Sequence, residues 1–266
     1  MKLKSLGLRT ELMLRSFESH IEVKPSYIVV RTPQNPTYRW GNYLIFQAPP
    51  EPGDLQRWKQ IFHDELGSLN HFVFTWDFVN GEQGAAQEFL EAGFWLEQTV
   101  VQTTQKVHPP RTLNTHCQCR AFHSDTDWAQ WLEMALIQNA ALPAEEREGE
   151  GYEIFLKHKA AEYRRMIAAG WGNWFGAFVG GQLAASMGLF AKDGLGRFQS
   201  VDTHPDFRRQ GLAGTLLYHV AQYGFGELGA KDLVILADLH YFAKDLYTSV
   251  GFRPTEHLVA LEWALA

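Results

Sequence analysis

The chain has 266 residues, of which 45% are hydrophobic and 20% charged, with a formal net charge of -6 and a sequence pI of about 6.0. Such a composition allows one or two domains with ample core and excludes a disordered or fibrous chain. The negative balance argues against a nucleic-acid footprint, which needs a basic face, and suits a small cationic partner better.

Residues 1–22 intersperse Lys, Arg and Glu and show no apolar run after a basic start, so they do not read as a signal peptide. No stretch approaches the roughly 18 apolar residues of a membrane span. The two cysteines, Cys117 and Cys119, form a lone C-x-C on a predicted strand and point to one face. They offer neither a disulfide framework nor a zinc site and read as packing thiols. A cytoplasmic protein without membrane or nucleic-acid partners is expected, its oligomeric state left open.

In chain order, a helix is expected over 54–66, after Pro49-Pro50-Glu51-Pro52-Gly53. An apolar strand follows over 71–77, ending in Asp77. A short helix over 86–94 is closed by Gly93-Phe94. Residues 106–114, with Pro109-Pro110, read as a linker, because consecutive prolines cannot continue a helix or a central strand. Beyond it come a strand over 115–122 and a helix with Asp125 as N-cap, running through Trp128, Trp131, Leu132 and Ala135. A second helix spans 152–168. Strands over 174–179 and 182–190 flank Gly180-Gly181, a hairpin signal. After a turn at Lys192-Asp193-Gly194 come a strand over 197–203, a glycine-bearing loop and a helix over 212–228. A buried strand over 233–239, a helix over 242–250 and a strand over 259–264 complete the chain.

Two segments carry the chemistry. The first runs Val201-Asp202-Thr203-His204-Pro205-Asp206-Phe207-Arg208-Arg209-Gln210-Gly211-Leu212-Ala213-Gly214-Thr215. A loop of this kind can present bare backbone N–H groups to a phosphate, and the helix after it adds its positive N-terminal dipole. Gly211 lacks a Cβ, a large side chain at position 213 would fill the same space, and Arg208 and Arg209 add positive charge. The second is Leu246-Tyr247-Thr248-Ser249-Val250-Gly251-Phe252. Together, in this order, the two resemble the signature of the GCN5-related N-acetyltransferases (GNAT), with Arg208, Gly211 and Ala213 filling the family's Gln/Arg-x-x-Gly-x-Gly/Ala form.

The resemblance implies an α/β (α+β) chain and an acetyl-CoA cosubstrate with no metal. The diphosphate would lie against Arg208, Arg209, Gln210, Gly211, Leu212, Ala213, Gly214 and Thr215, and the pantetheine arm against Val201 and Thr203. The Val201 N–H would polarise the thioester carbonyl. The Tyr247 phenol would protonate the departing thiolate; the same ring could equally be core material with its hydroxyl satisfied. His240 stands where many relatives carry Asn, and would hold a water, contact the cofactor or only close a strand end. The base is the thinnest part. Freeing a lysine-like amine at pH 7 costs about 4–5 kcal/mol, and the usual strand positions hold Arg197 and Gln199. Asp202 ranks first, although strict alternation turns it away from Val201; Asp238, Glu153 and Glu162 follow. Trp128, Trp131, Tyr152, Phe155, Tyr163 and the segment Trp171-Gly172-Asn173-Trp174 either wall the acceptor site or fill the core.

The first half repeats the second in worn form. Residues 71–77 correspond to 233–238, and 86–94 to 243–252, each pair a strand ending in Asp and a helix closed by Gly-Phe. Phe89 stands where Tyr247 does, and the proline-rich loop before residue 54 lacks the N–H groups a phosphate needs. The expected organisation is a degenerate domain over 1–107, a linker over 108–114 and a catalytic domain over 115–266. The two domains should be acyl-CoA N-acyltransferase-like, each a mixed, mostly antiparallel sheet flanked by helices. The expected function is acetyl transfer to an unidentified small-molecule or peptide amine. The rivals are a CoA-binding regulator without turnover and an aminoacyl-tRNA-dependent transferase. His63-Asp64-Glu65 cannot converge on one metal ion from consecutive helix positions, and no G-x-S-x-G elbow supports hydrolysis.

Overall fold

The computed structural model describes residues 1–36, 38–144, 147–149, 151–240 and 243–265; for 243 and 244 only the backbone is described. The elements in chain order are α1 (Leu6–Arg15), β1 (His20–Val23), β2 (Tyr27–Arg31), β3 (Tyr43–Phe46), α2 (Asp54–Leu66), β4 (His71–Trp76), α3 (Gln87–Glu91), β5 (Trp95–Thr104), β6 (Gln118–Ala121) and α4 (Asp125–Ala140). Then follow α5 (Tyr152–Ala168), β7 (Gly172–Val179), β8 (Gln182–Lys192), β9 (Leu195–Thr203), α6 (Leu212–Gly226), β10 (Asp232–Asp238), α7 (Ala243–Thr248) and β11 (Arg253–Ala264). The expected start of the last helix, Phe242, lies outside the described residues. Contacts divide the chain into two compact units, Met1–Gln102 with Leu236–Lys244 and Pro254–Ala266, and Thr103–Ile235 with Asp245–Arg253.

In the first unit the strands run in the order β1-β2-β3-β4-β11-β5. The β3–β4 pair is parallel; β1–β2, β2–β3 and β4–β11 are antiparallel. Every residue of β4 is buried, which is why the strand reads as a continuous apolar run rather than an alternating one. Its core is aromatic: Phe46 stacks on Trp58 at 3.8 Å, and Phe62, Phe74, Trp76, Phe89 and Phe94 close around them.

Residues 1–22 gave no strong signal in sequence, yet the structure anchors them with two carboxylates. Asp77 accepts the N–H groups of Lys4 at 2.7 Å and Ser5 at 2.9 Å. Glu256, buried at the foot of β11, accepts the Ser5 hydroxyl and the N–H groups of Leu6 at 2.7 Å and Gly7 at 3.2 Å. An acid at the start of α1 satisfies donors that the helix cannot, and it meets the positive end of the dipole.

In the second unit the order is β10-β9-β8-β7-β6, with β9–β10 parallel and the other pairs antiparallel. Helices α4 and α5 cover one face: Trp174 of β7 meets Trp131 at 5.5 Å and Tyr163 at 4.5 Å. Helix α6 covers the other, where Tyr223 meets Phe175 at 4.9 Å. Helix α4 begins one residue earlier than Asp125 would dictate as N-cap. Ser124 takes that place and forms a capping box with Asp127. Asp127 also receives Arg120 through two hydrogen bonds of 2.7 and 2.9 Å, which hold its carboxyl well below the usual range. Both units are thus mixed, mostly antiparallel sheets flanked by helices, as expected.

Replacing Glu256 by Ala leaves three donors at the start of α1 without their acceptor. We expect a loss of about 2–4 kcal/mol in stability, read as a lower urea midpoint.

Candidate active site

The site begins where β9 leaves the sheet. A 3₁₀ turn, Pro205–Phe207, leads through Arg208 to two left-handed residues, Arg209 at φ 61° and Gly211 at φ 75°. A left-handed arginine costs free energy and marks an over-determined loop. Gly211 is the N-cap of α6, and no side chain caps that helix. Its first turn carries no acidic residue. The N–H groups of residues 211–214 meet no acceptor among the described residues. Arg208, Arg209, Gln210 and Gly211 are exposed. Bare N–H groups, a helix dipole and two arginines therefore converge on one small region of surface.

Helix α2 of the first unit offers a control within the same chain. It too starts from a left-handed glycine, Gly53 at φ 87°, with no side-chain cap. There the Gly53 N–H points at the carboxylate of Glu88, 3.0 and 3.1 Å from its two oxygens. Asp54 occupies the first turn, accepting the Glu51 N–H at 2.9 Å and pairing with Arg57 at 2.6 Å. The anion that α2 would attract is already supplied by the protein.

Helix α7 is held against the first turn of α6. A Cβ on Gly214 would meet Leu246 Cδ1 at 3.2 Å, so glycine permits the approach. Tyr247, the next residue, is buried at 4% exposure. Its carbonyl accepts the Phe252 N–H at 3.1 Å, and the Gly251 N–H returns to Thr248 at 3.1 Å, a Schellman closure. The same two bonds recur at Phe94–Phe89 and Gly93–Leu90, both 3.0 Å, where the tyrosine is replaced by phenylalanine.

The segment expected as a linker is a strap across this region. The Asn114 amide donates to the Gln210 carbonyl at 2.9 Å, and the Asn114 N–H to Thr215 Oγ1 at 2.8 Å. Thr112 O lies 3.4 Å from where a Gly211 Cβ would stand, and Pro110 packs at Gly214. The His108 N–H donates to Val250 O at 3.1 Å. One extended stretch therefore touches both signature segments, which its two prolines, read only as helix breakers, did not announce.

Strand β9 is not regular, and this changes the placement of Asp202. Ser186 of β8 pairs with Asp202, but Gly188 pairs with Gln199. Two residues on β8 thus span three on β9, a bulge at Ser200, which sits at φ 39°, and Val201. Val201 consequently has no partner in the register, while Thr203 still pairs with Ala185. The extra residue reverses the alternation expected from Arg197. Asp202 shares the face of Arg197 and Gln199, which is the face of Trp174 covered by α4 and α5. Gln138 of α4 donates to the Thr203 carbonyl at 3.0 Å, as does Arg208 Nε at 3.5 Å.

The Asp202 carboxyl makes no hydrogen bond or ion pair with any described residue. Part of the residue is accessible, but the surrounding protein desolvates the carboxyl and raises its pKa to about 6, with Arg208 offsetting part of the shift. Its charge also reaches Tyr152, whose phenol is raised by burial, Asp202 and Glu148. The other acids considered as bases are engaged elsewhere. Glu153 pairs with Lys157 at 2.7 Å, Glu162 with buried Lys159, and Asp238 accepts the His240 N–H at 2.6 Å. His240 belongs to the first unit, where its Nε2 lies 3.3 Å from Gln98 Oε1.

The aromatic residues divide. Trp128, Trp131, Tyr163 and Trp174 are buried against each other and fill the core. Tyr152 and Phe155 are half-buried and stacked at 6.2 Å. The Cys117 and Cys119 sulfurs lie 3.8 Å apart, on one side as expected, and burial pushes the Cys119 thiol up to about 12. Ser186, opposite Asp202, was missed in the sequence; the only signal was one hydroxyl inside the otherwise apolar run of residues 183–191.

Residues 131–252 match the family model described as the acetyltransferase (GNAT) family. No curated protein matches the sequence. Among solved structures, a functionally unknown conserved protein from Staphylococcus epidermidis is 14% identical at a TM-score of 0.72, over 94% of this chain and 96% of that one. A GCN5-related N-acetyltransferase from Kribbella flavida is 13% identical at 0.60, over 97% and 96%. A tandem GNAT protein from the clavulanic acid biosynthesis pathway is 12% identical at 0.56, over 93% and 83%. The chain has the GNAT acetyltransferase fold, and the family model matches its C-terminal half.

The raised carboxyl of Asp202 has a consequence for stability. Ionising it costs more in the folded chain than in the unfolded one, where its pKa is near 3.8. Asp202→Asn should therefore melt higher than wild type at pH 8. The difference should shrink as pH falls through 6 and vanish below about 4, as read by differential scanning calorimetry across that range.

Proposed function

We propose that this chain is an acetyl-CoA-dependent N-acetyltransferase whose chemistry lies in the second unit, the first serving as support. The observation that carries the reading is the start of α6: bare N–H groups and two arginines, where α2 holds its own carboxylates instead. Gly211, its exposed N–H and the absence of an acid in the first turn fit a diphosphate, which the segment 208–215 would grip.

Acetyl-CoA supplies an activated thioester, so the reaction forms a C–N bond and breaks a C–S bond. Asp202 takes one proton from the attacking nitrogen onto its carboxylate. The Val201 N–H, outside the strand pairing, hydrogen-bonds the carbonyl oxygen as its charge grows. The Tyr247 phenol gives its proton to the departing sulfur and is reprotonated from solvent. Thr203 and the strap residues Thr112 and Asn114 keep loop and strand in register.

Thermal denaturation with and without CoA is the first test, since a ligand bound to the native state alone raises the melting temperature. A rise is expected for wild type and its loss for Gly211→Val, where a side chain would have to adopt φ 75° and cover the N–H groups. No shift in the wild type at millimolar CoA sinks the reading.

Tyr247→Phe should bind CoA as wild type does and lose about 10- to 100-fold in kcat. Above its pKa of about 6 Asp202 is the free base, and below it the carboxyl is protonated. The groups whose charge couples to it are Arg208 on the loop, which opposes the shift, and Tyr152 on α5, whose phenol it raises. We therefore expect kcat/KM to fall about tenfold per pH unit below 6. Asp202→Asn should abolish that limb and cost about 10²–10⁴ in kcat.

A further inference from the structure

Resting on the acetyltransferase reading, we propose that Ser186 and Asp202 together seat the acceptor's ammonium group, and that the acceptor is a small dicationic amine with no carboxylate beside the reacting nitrogen.

The β8–β9 register places the two residues directly opposite each other on the face covered by α4 and α5. Cross-strand neighbours of this kind have Cβ atoms about 4.5–5.5 Å apart. Ser186 is completely buried, and its hydroxyl oxygen has no hydrogen-bond partner among the described residues. The Asp202 carboxyl likewise has none. A buried hydroxyl without a partner is destabilising, and two such groups side by side mark a place where an incoming ligand completes the bonding.

The chemistry of the pair selects that ligand. An ionised carboxylate only accepts hydrogen bonds, and a serine oxygen can accept one as well. An ammonium, with three N–H donors, can donate to both at once and carries the charge that complements the carboxylate. Asp202 takes one proton to free the amine and passes it to solvent, while a second N–H still reaches Ser186 Oγ; once the C–N bond has formed, the restored Asp202 carboxylate takes the second proton that the amide nitrogen must lose. The bond to Ser186 fixes the direction of the nitrogen lone pair. Ser186 is thus a positioning residue for the nucleophile.

The surroundings set the remaining charge. The negative charges of Asp202 and of Glu148, just before α5, both raise the Tyr152 phenol, so that ring sits in an anionic field. Arg208 belongs to the phosphate loop and Arg197 sits further along β9, opposite Phe190. A carboxylate on the acceptor would meet like charge here. A second ammonium would meet opposite charge and the stacked rings of Tyr152 and Phe155.

The probes are 1,4-diaminobutane, butylamine and glycine, each with acetyl-CoA and wild-type enzyme, with products read by mass. Diaminobutane should be acetylated at least tenfold more efficiently than butylamine, and glycine not at all. Ser186→Ala removes an unsatisfied buried hydroxyl, so it should melt at or above the wild-type temperature and keep its acetyl-CoA affinity. Its KM for diaminobutane should rise roughly 10- to 100-fold. The thermal shift that diaminobutane alone gives the wild type should be lost in Ser186→Ala. A wild type that does not bind acetyl-CoA overturns the acetyltransferase reading and this inference with it. A wild type that binds acetyl-CoA yet leaves diaminobutane unmodified, or works equally well on glycine, overturns this inference alone. So does an unchanged KM in Ser186→Ala.

Discussion

The start of a helix is electrically unfinished, and what completes it decides what the surrounding protein can do. Four N–H groups at each N-terminus lack partners within the helix. In this chain Asp77 and Glu256 accept donors at the start of α1, Ser124 and Asp127 cap α4, and α2, without a side-chain cap, has the carboxylates of Glu88 and Asp54 at its entry. Helix α6 receives no such partner, although Asp202 and Asp206 precede it in sequence. Its position is fixed instead by contacts that leave the donors open: Gly214 against Leu246, Thr215 against the Asn114 backbone, and Gln210 against the Asn114 amide. The strap and α7 therefore hold the helix end without plugging it, which is the condition for an anion to bind there.

Much of this was legible in the sequence where a residue type is dictated by backbone geometry. Gly211, Gly251 and Gly93 mark left-handed positions, and each was read correctly as a loop or helix closure. The Gly-Phe endings of α3 and α7 were read as a repeat, and each carries the same pair of return hydrogen bonds. The order of elements followed from apolar periodicity and turn residues.

What was not legible depends on partners distant in sequence. Nothing near Asp202 announces the bulge, because Ser200 at φ 39° is an ordinary residue forced into a rare conformation by its neighbours. Strict alternation consequently turned Asp202 away from the Arg197 and Gln199 side, onto which the bulge brings it. The 106–114 stretch reads as a linker from its prolines; its contacts with the loop and α6 come from Asn114 and Thr112, whose types say little alone. Aromatic residues on α4 and α5 look alike as letters; only packing separates the buried Trp128 and Trp131 from the half-exposed Tyr152 and Phe155.

The placement of β11 bears on how the chain comes to be folded. Residues 260–264 pair with β4 at residues 71–75, and Glu256 anchors the opening helix. The unit that leaves the ribosome first is therefore the one that waits longest for its last strand. Until that strand arrives, β4 has an open edge of the kind that invites mispairing. Closing a loop of this length is slow, although its added entropy cost grows only logarithmically. Strands β6 to β9, all within residues 118–203, can pair in the meantime. Birth order and completion order are thus reversed, and the N-terminal half matures under the custody of the C-terminal end.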